Sequence, residues 1–125
     1  MGARQVDEET IRRWISENSG GSSYLIYVAL LNQSGTNDPV ATVLQNTLGG
    51  DVVWTRFTNG GYTGTLAGAF TAAKTVVFVT SSGAGQIDAA IDSPPNTVYV
   101  DTYDAAGNRE DGDLSNTSIE IRVYA

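Results

Sequence analysis

The chain contains neither cysteine nor histidine. Without cysteine there is no disulfide framework, so the redox compartment is left open rather than fixed as reducing. Without either residue, a thiol or imidazole nucleophile, a histidine general base and a Cys/His zinc site are all excluded. Proline is sparse and lysine is reduced to Lys74. "TAAKT" around that lysine is not a Ser-x-x-Lys arrangement. No apolar run is long enough to cross a bilayer as a helix: the longest is Leu25 to Leu31. The opening "MGARQVDEETIRRW" lacks the apolar centre of a secretory signal, and Val6 stands where a myristoylation signal needs Ser or Thr. Positive charge is scarce, with seven Lys and Arg against 14 Asp and Glu, for a net charge of −7. Such a chain repels phosphate backbones and offers no basic patch to anionic lipid, so neither nucleic acid nor membrane is an expected partner.

What is present is glycine, threonine, valine and tyrosine, a balance that favours strands and turns. With 125 residues the chain has the length of one domain and can bury a core without staples. Its start is different in kind. Residues 7–18 have helical periodicity. Asp7 is placed as N-cap, and Val6 and Ile11 have the spacing of a hydrophobic staple. Glu8–Arg12 and Glu9–Arg13 are favourable i,i+4 pairs. Ile11, Trp14 and Ile15 make an apolar stripe, and Gly20 stops the helix. A helix this short needs tertiary support, so the stripe must pack on the same domain, on a symmetry mate or on another protein. The expected organisation is a helical anchor over residues 1–18, a Gly/Ser linker over 19–23 and a β-domain over 24–125.

Within the β-domain, strands are expected over Tyr24–Asn32, Val40–Thr47, Val52–Thr58, Tyr62–Leu66, Thr75–Thr80, Gln86–Ile91, Thr97–Tyr103 and Ser118–Tyr124. Asn59-Gly60 is a tight-hairpin signal. The predicted fold is all-β: an antiparallel sandwich of about eight strands, jelly-roll-like, preceded by one short helix. Trp54, Phe57, Phe70 and Phe78 are expected in the core.

Three candidate sites follow. The anchor residues Val6, Ile11, Trp14 and Ile15 form a partner-binding stripe. The last two strands carry Val98, Val100, Ile119, Ile121 and Val123 on core faces. Tyr99, Asp101, Tyr103, Glu120, Arg122 and Tyr124 lie opposite. If those strands pair, this is one Tyr, acid and Arg face, suited to a glycan or a neighbouring subunit, or else an ordinary solvated sheet face. The loop "DAAGNREDGD", Asp104 to Asp113, holds four acids. It lacks EF-hand spacing and reads as a solvated loop rather than a cation site. No metal and no cofactor is expected. The acids sit mainly in loops, with no apolar pocket implied to raise one carboxyl for glycoside cleavage, so an enzyme is not expected.

"YVALLNQSGTNDPVATVLQNTLGGDVVWTRFTNGGYTGTL", Tyr27 to Leu66, resembles a recurring pattern in small proteins of tailed phages and prophages, notably those of marine bacteria and Bacteroidetes. The closing "SIEIRVYA", Ser118 to Ala125, resembles the ending of the same proteins. About Thr80 to Asn116 the likeness thins, and the N-terminal helix is not part of it. The resemblance implies a non-enzymatic virion structural protein, such as a capsid decoration, head-fibre or tail-fibre component, assembled in the host cytoplasm. It implies other virion proteins as partners, a homotrimer by analogy with fibre and decoration proteins, and a host-surface glycan as a further contact. It assigns no catalytic or binding residue. The competing reading from the residues alone is a carbohydrate-binding β-sandwich module.

Overall fold

A computed structural model describes residues 23–80, 85–92 and 95–125. The expected helix over 7–18, with Val6, Ile11, Trp14 and Ile15, and all of the linker except Ser23 lie outside the described residues. The described chain forms eight strands: β1 Tyr24–Asn32, β2 Val40–Asn46, β3 Val53–Thr58, β4 Gly61–Thr65, β5 Thr75–Val79, β6 Gln86–Asp92, β7 Thr97–Tyr103 and β8 Thr117–Tyr124. Every expected strand is present, with boundaries moved by at most one residue.

The strands make two antiparallel four-stranded sheets. Sheet A has the order β2-β1-β8-β5 and sheet B the order β3-β4-β7-β6. This is not the strand order of a jelly roll, which pairs the first strand with the eighth, the second with the seventh, the third with the sixth and the fourth with the fifth. Only β1–β8 of those pairings occurs. The difference is local in origin. β1–β2, β3–β4 and β6–β7 are joined by short connections and close as hairpins, before any longer-range pairing is needed.

Alternation explains the core. β1 turns Tyr27, Ala29 and Leu31 inward, and β8 does the same with Ile119, Ile121 and Val123. From sheet B come Trp54, Tyr62, Val98 and Val100, with Phe70 and Leu114 closing the two ends. Full burial of side chains of this size contributes about 1.5–3 kcal/mol each. The sheets are also joined by a directed contact: Trp54 Nε1 donates to the Tyr27 hydroxyl across the core at 3.1 Å. Trp54 can lie flat there because its partner in register is Gly64. A Cβ at Gly64 would stand 2.8 Å from the indole ring.

The sandwich has two dissimilar ends. At the proximal end the chain enters at Ser23, and the Ala125 N–H donates to the Ser23 carbonyl at 3.2 Å. An open groove lined by Leu25, Leu48, Ala69 and Val123 lies beside this entry point. At the distal end the loops over 33–39, 59–60 and 104–116 are tied together by Asp111. Its carboxylate takes Arg56 Nε at 3.0 Å and Arg56 Nη2 at 2.8 Å, together with the Gly60 N–H at 2.9 Å. The Tyr62 hydroxyl stands 2.8 Å from Asp111 Oδ1 and 2.9 Å from Gln33 Oε1, so one proton serves two acceptors. Gln33 in turn accepts from the Gly112 N–H at 2.7 Å. Arg56, with help from Gly60 and Tyr62, outweighs partial burial and holds the Asp111 carboxyl at about 2. Burial, reinforced by the neighbouring carboxylate, pushes the Tyr62 phenol well above its ordinary range.

Candidate functional site

The six residues expected on one face fall on two. β7 pairs with β4 and β6, whereas β8 pairs with β1 and β5. Tyr99, Asp101 and Tyr103 therefore lie on the outer face of sheet B, and Glu120, Arg122 and Tyr124 on the outer face of sheet A. The two groups are back to back across the core. The physical reason is the connection between β7 and β8. It does not turn back as a hairpin but crosses from one sheet to the other through the Asp111 clamp. Two of the expected core aromatics are corrected with it. Trp54 and Phe70 are buried, but Phe57 is 48% exposed on sheet B and Phe78 is 49% exposed on sheet A.

The outer face of sheet A is aliphatic. Central strand β1 presents Tyr24, Ile26, Val28 and Leu30, and the edges add Val40 from β2 and Val76 and Phe78 from β5. Arg122 lies among them. Its guanidinium sits 5.1 Å from the Tyr24 ring and 5.3 Å from the Phe78 ring, and it pairs with Glu120. Tyr124 packs on Tyr24 at 5.1 Å. Hydrogen bonding to Tyr124 first, and to Glu120 next, keeps Arg122 firmly protonated. The arginine stem covers apolar surface while its head bridges rings on two strands. β1, apolar on both faces, is a central strand, flanked by β2 and β8. Its outer side has no layer over it among the described residues.

The outer face of sheet B is built differently. Register places Thr55, Thr63, Tyr99 and Ala90 in one row, and Gly61, Asp101 and Asp88 in the next. Phe57 comes from the irregular end of β3 and lies over Gly61, where a Cβ would stand 2.8 Å from its ring. Its ring meets Tyr99 edge to face at 5.3 Å. Arg109 donates to Asp101 at 2.8 Å and stacks 5.5 Å from the Tyr103 ring. The hydrogen bond to Asp101 is the main reason its guanidinium is held protonated. The Arg109 backbone is fixed as well, by a bridge to Tyr103 and by Asn59 Nδ2 donating to its carbonyl at 2.9 Å.

On this face, Phe57 and Arg109 are the residues that sequence reasoning missed. The signal for Phe57 was its odd spacing from Trp54, which sets the two rings on opposite faces of one strand. Arg109 carries no such signal, since only the fold brings its loop back onto β7.

The acidic loop is largely engaged within itself. The Asp104 carboxylate accepts from the Ala106 and Asn108 N–H groups at 2.9 Å each, and the Asn108 backbone does most to hold its carboxyl below the usual carboxylate range. Asp111 is held by Arg56. Glu110 is raised by its contact with Asp113. Among the described residues no cluster of three or more carboxylates gathers in metal-binding geometry.

No protein-family model, curated protein or solved structure matches this chain.

Proposed function

We propose that this chain is a non-enzymatic structural accessory protein of a tailed-phage particle, a capsid decoration or a head- or tail-fibre component. Residues 1–18 act as its attachment element, and the β-sandwich projects from it. The observation that carries this reading is the one-ended architecture. The chain joins the sandwich at the proximal end, while the loops of the opposite end are locked by Asp111 and Gln33. A module held at one end, with a rigid far end, suits a projection from a larger surface. The phage resemblance of Tyr27 to Leu66 falls on β1 to β4, which supply strands to both sheets.

The aliphatic face of sheet A extends the reading. Exposed apolar patches of this kind mark protein contact surfaces. Neighbouring particle proteins or further copies of this chain, in a trimer by analogy, would cover Tyr24, Val28, Leu30, Val76 and Phe78. Such a protein assembles in the host cytoplasm and resides in the virion. Deleting residues 1–18 tests the proposal. The truncated chain should keep its cooperative unfolding but be lost from purified particles. Normal incorporation of the truncated chain would remove the anchor.

A further inference from the structure

We propose that the outer face of sheet B is a binding platform for a neutral glycan, formed by Phe57, Tyr99, Tyr103 and the Asp101–Arg109 pair. The inference goes beyond the particle reading and does not depend on it.

The first argument is shape. Phe57 and Tyr99 meet edge to face at the surface, and the neighbours of Tyr99 in register are only Ala90 and Thr63. With Gly61 beneath it, the Phe57 ring needs no hollow in the core and rests against the sheet itself. An aromatic side chain left half exposed costs solvation, and burying it elsewhere would recover that cost. Here it is held out by a rigid strand and braced by Tyr99. The half-exposed Phe57 ring, with the partly exposed Tyr99 and Tyr103 beside it, is preorganised aromatic surface of the kind that packs on the C–H faces of pyranose sugars.

The second argument is polarity. Between Tyr99 and Tyr103 on β7 stands Asp101, with its carboxylate fixed by Arg109. A carboxylate and a guanidinium side by side offer paired acceptors and donors, the geometry that vicinal hydroxyls answer. Thr55, Thr63, Thr65 and Thr97 add hydroxyls along the same face.

The third argument is what the face excludes. Asp88 is the register partner of Asp101 across β6 and β7, so among the described residues this row carries two carboxylates, of which Arg109 pairs with Asp101. That local excess of negative charge disfavours anionic polymers, including the bases and phosphates of nucleic acid that stacking rings otherwise accept. A protein partner fits less well here than on sheet A, where Ile, Val and Leu surround the single ion pair, because the ground between the rings of sheet B is mainly Thr, Gly and Ala. A hydroxyl-rich, uncharged, ring-shaped ligand is what remains.

The test is affinity electrophoresis of the full chain through gels containing dextran, galactomannan, xyloglucan or mixed-linkage β-glucan, followed by titration with the polysaccharide that retards it. At least one should retard the wild-type chain. F57A and Y99A should each weaken binding by about tenfold or more, and R109Q by several fold. F78A, on the other sheet, should bind as the wild type does. Thermal unfolding of each variant separates lost binding from lost fold, and Tyr99→Phe should retain most of the binding. No retardation in any of the four gels overturns the proposal, and so does retardation that F57A and Y99A leave unchanged. F57A should still enter particles, so failure here and failure of the anchor are read separately.

Discussion

The two outer faces use the same kinds of residue for opposite ends. Each has one half-exposed phenylalanine, two or more tyrosines, one arginine and its carboxylate. On sheet A the arginine is laid across rings from β1 and β5, and the ground around it is Ile, Val and Leu. On sheet B the arginine reaches Asp101 from a loop, and the ground is Thr, Gly and Ala. The lesson is that an aromatic-and-arginine composition does not by itself fix what a surface meets. The residues between the rings decide whether burial by protein or contact with a polar ligand is favoured.

That contrast depends on both sheets standing on one core, and the harshest way to break it is through the core. Trp54→Ala should cost about 3–5 kcal/mol, because a large buried ring leaves a cavity and the Tyr27 hydroxyl loses its donor. Urea unfolding followed by circular dichroism should show one transition, shifted. Two separated transitions would mean that the sheets, and hence their faces, are independent. Gly64→Val should approach the same loss, since its side chain would meet the indole.

The distal clamp comes next. Asp111→Ala strands Arg56 and the Gly60 N–H, while the Tyr62 hydroxyl keeps Gln33 as its acceptor, at a cost of about 1–3 kcal/mol. Acid gives the finer test. The folded carboxyl titrates at about 2, below the ordinary value of 3.8. Its stabilisation is therefore complete above the unfolded value and drains away as pH falls from about 4 through 2. Discounted for nearby solvent, the effect is about 1–2 kcal/mol. Asp111→Asn should be less stable at neutral pH and lose that part of the acid slope. A variant with the wild-type slope would show that other carboxylates carry it.

How much of this was legible from residues is itself instructive. All eight strands were, because period-two alternation and Gly, Pro and Asn punctuation act locally. The inward sets of β7 and β8 were legible for the same reason, as Val98, Val100, Ile119, Ile121 and Val123 bear out. Their pairing was not. Two consecutive, cleanly alternating strands look like neighbours, but the connection Asp104 to Asn116 is longer than hairpin loops usually are. That length was the available warning that the chain changes sheet. Phe78 was opaque in another way. In "TVVFVT" every residue is apolar or threonine, so alternation cannot say which face meets solvent. The jelly-roll expectation failed because strand count and turn spacing do not encode which strands pair.

The smallest effects sharpen the comparison best, since they alter one face and leave the core alone. Arg122→Ala removes two cation–π contacts and an ion pair on sheet A, all close to solvent. Its stability cost should be small and should shrink as salt is added. Arg109→Gln loses one exposed pair and the stack on Tyr103 on sheet B, and should cost still less. Chemical denaturation at two salt concentrations measures both. If sheet A is the face that proteins cover, Arg122→Ala should depress incorporation into particles and leave polysaccharide retardation intact, while Arg109→Gln does the reverse. Two surface changes of small cost to folding would then part by function, which only a real division of labour between the faces can produce.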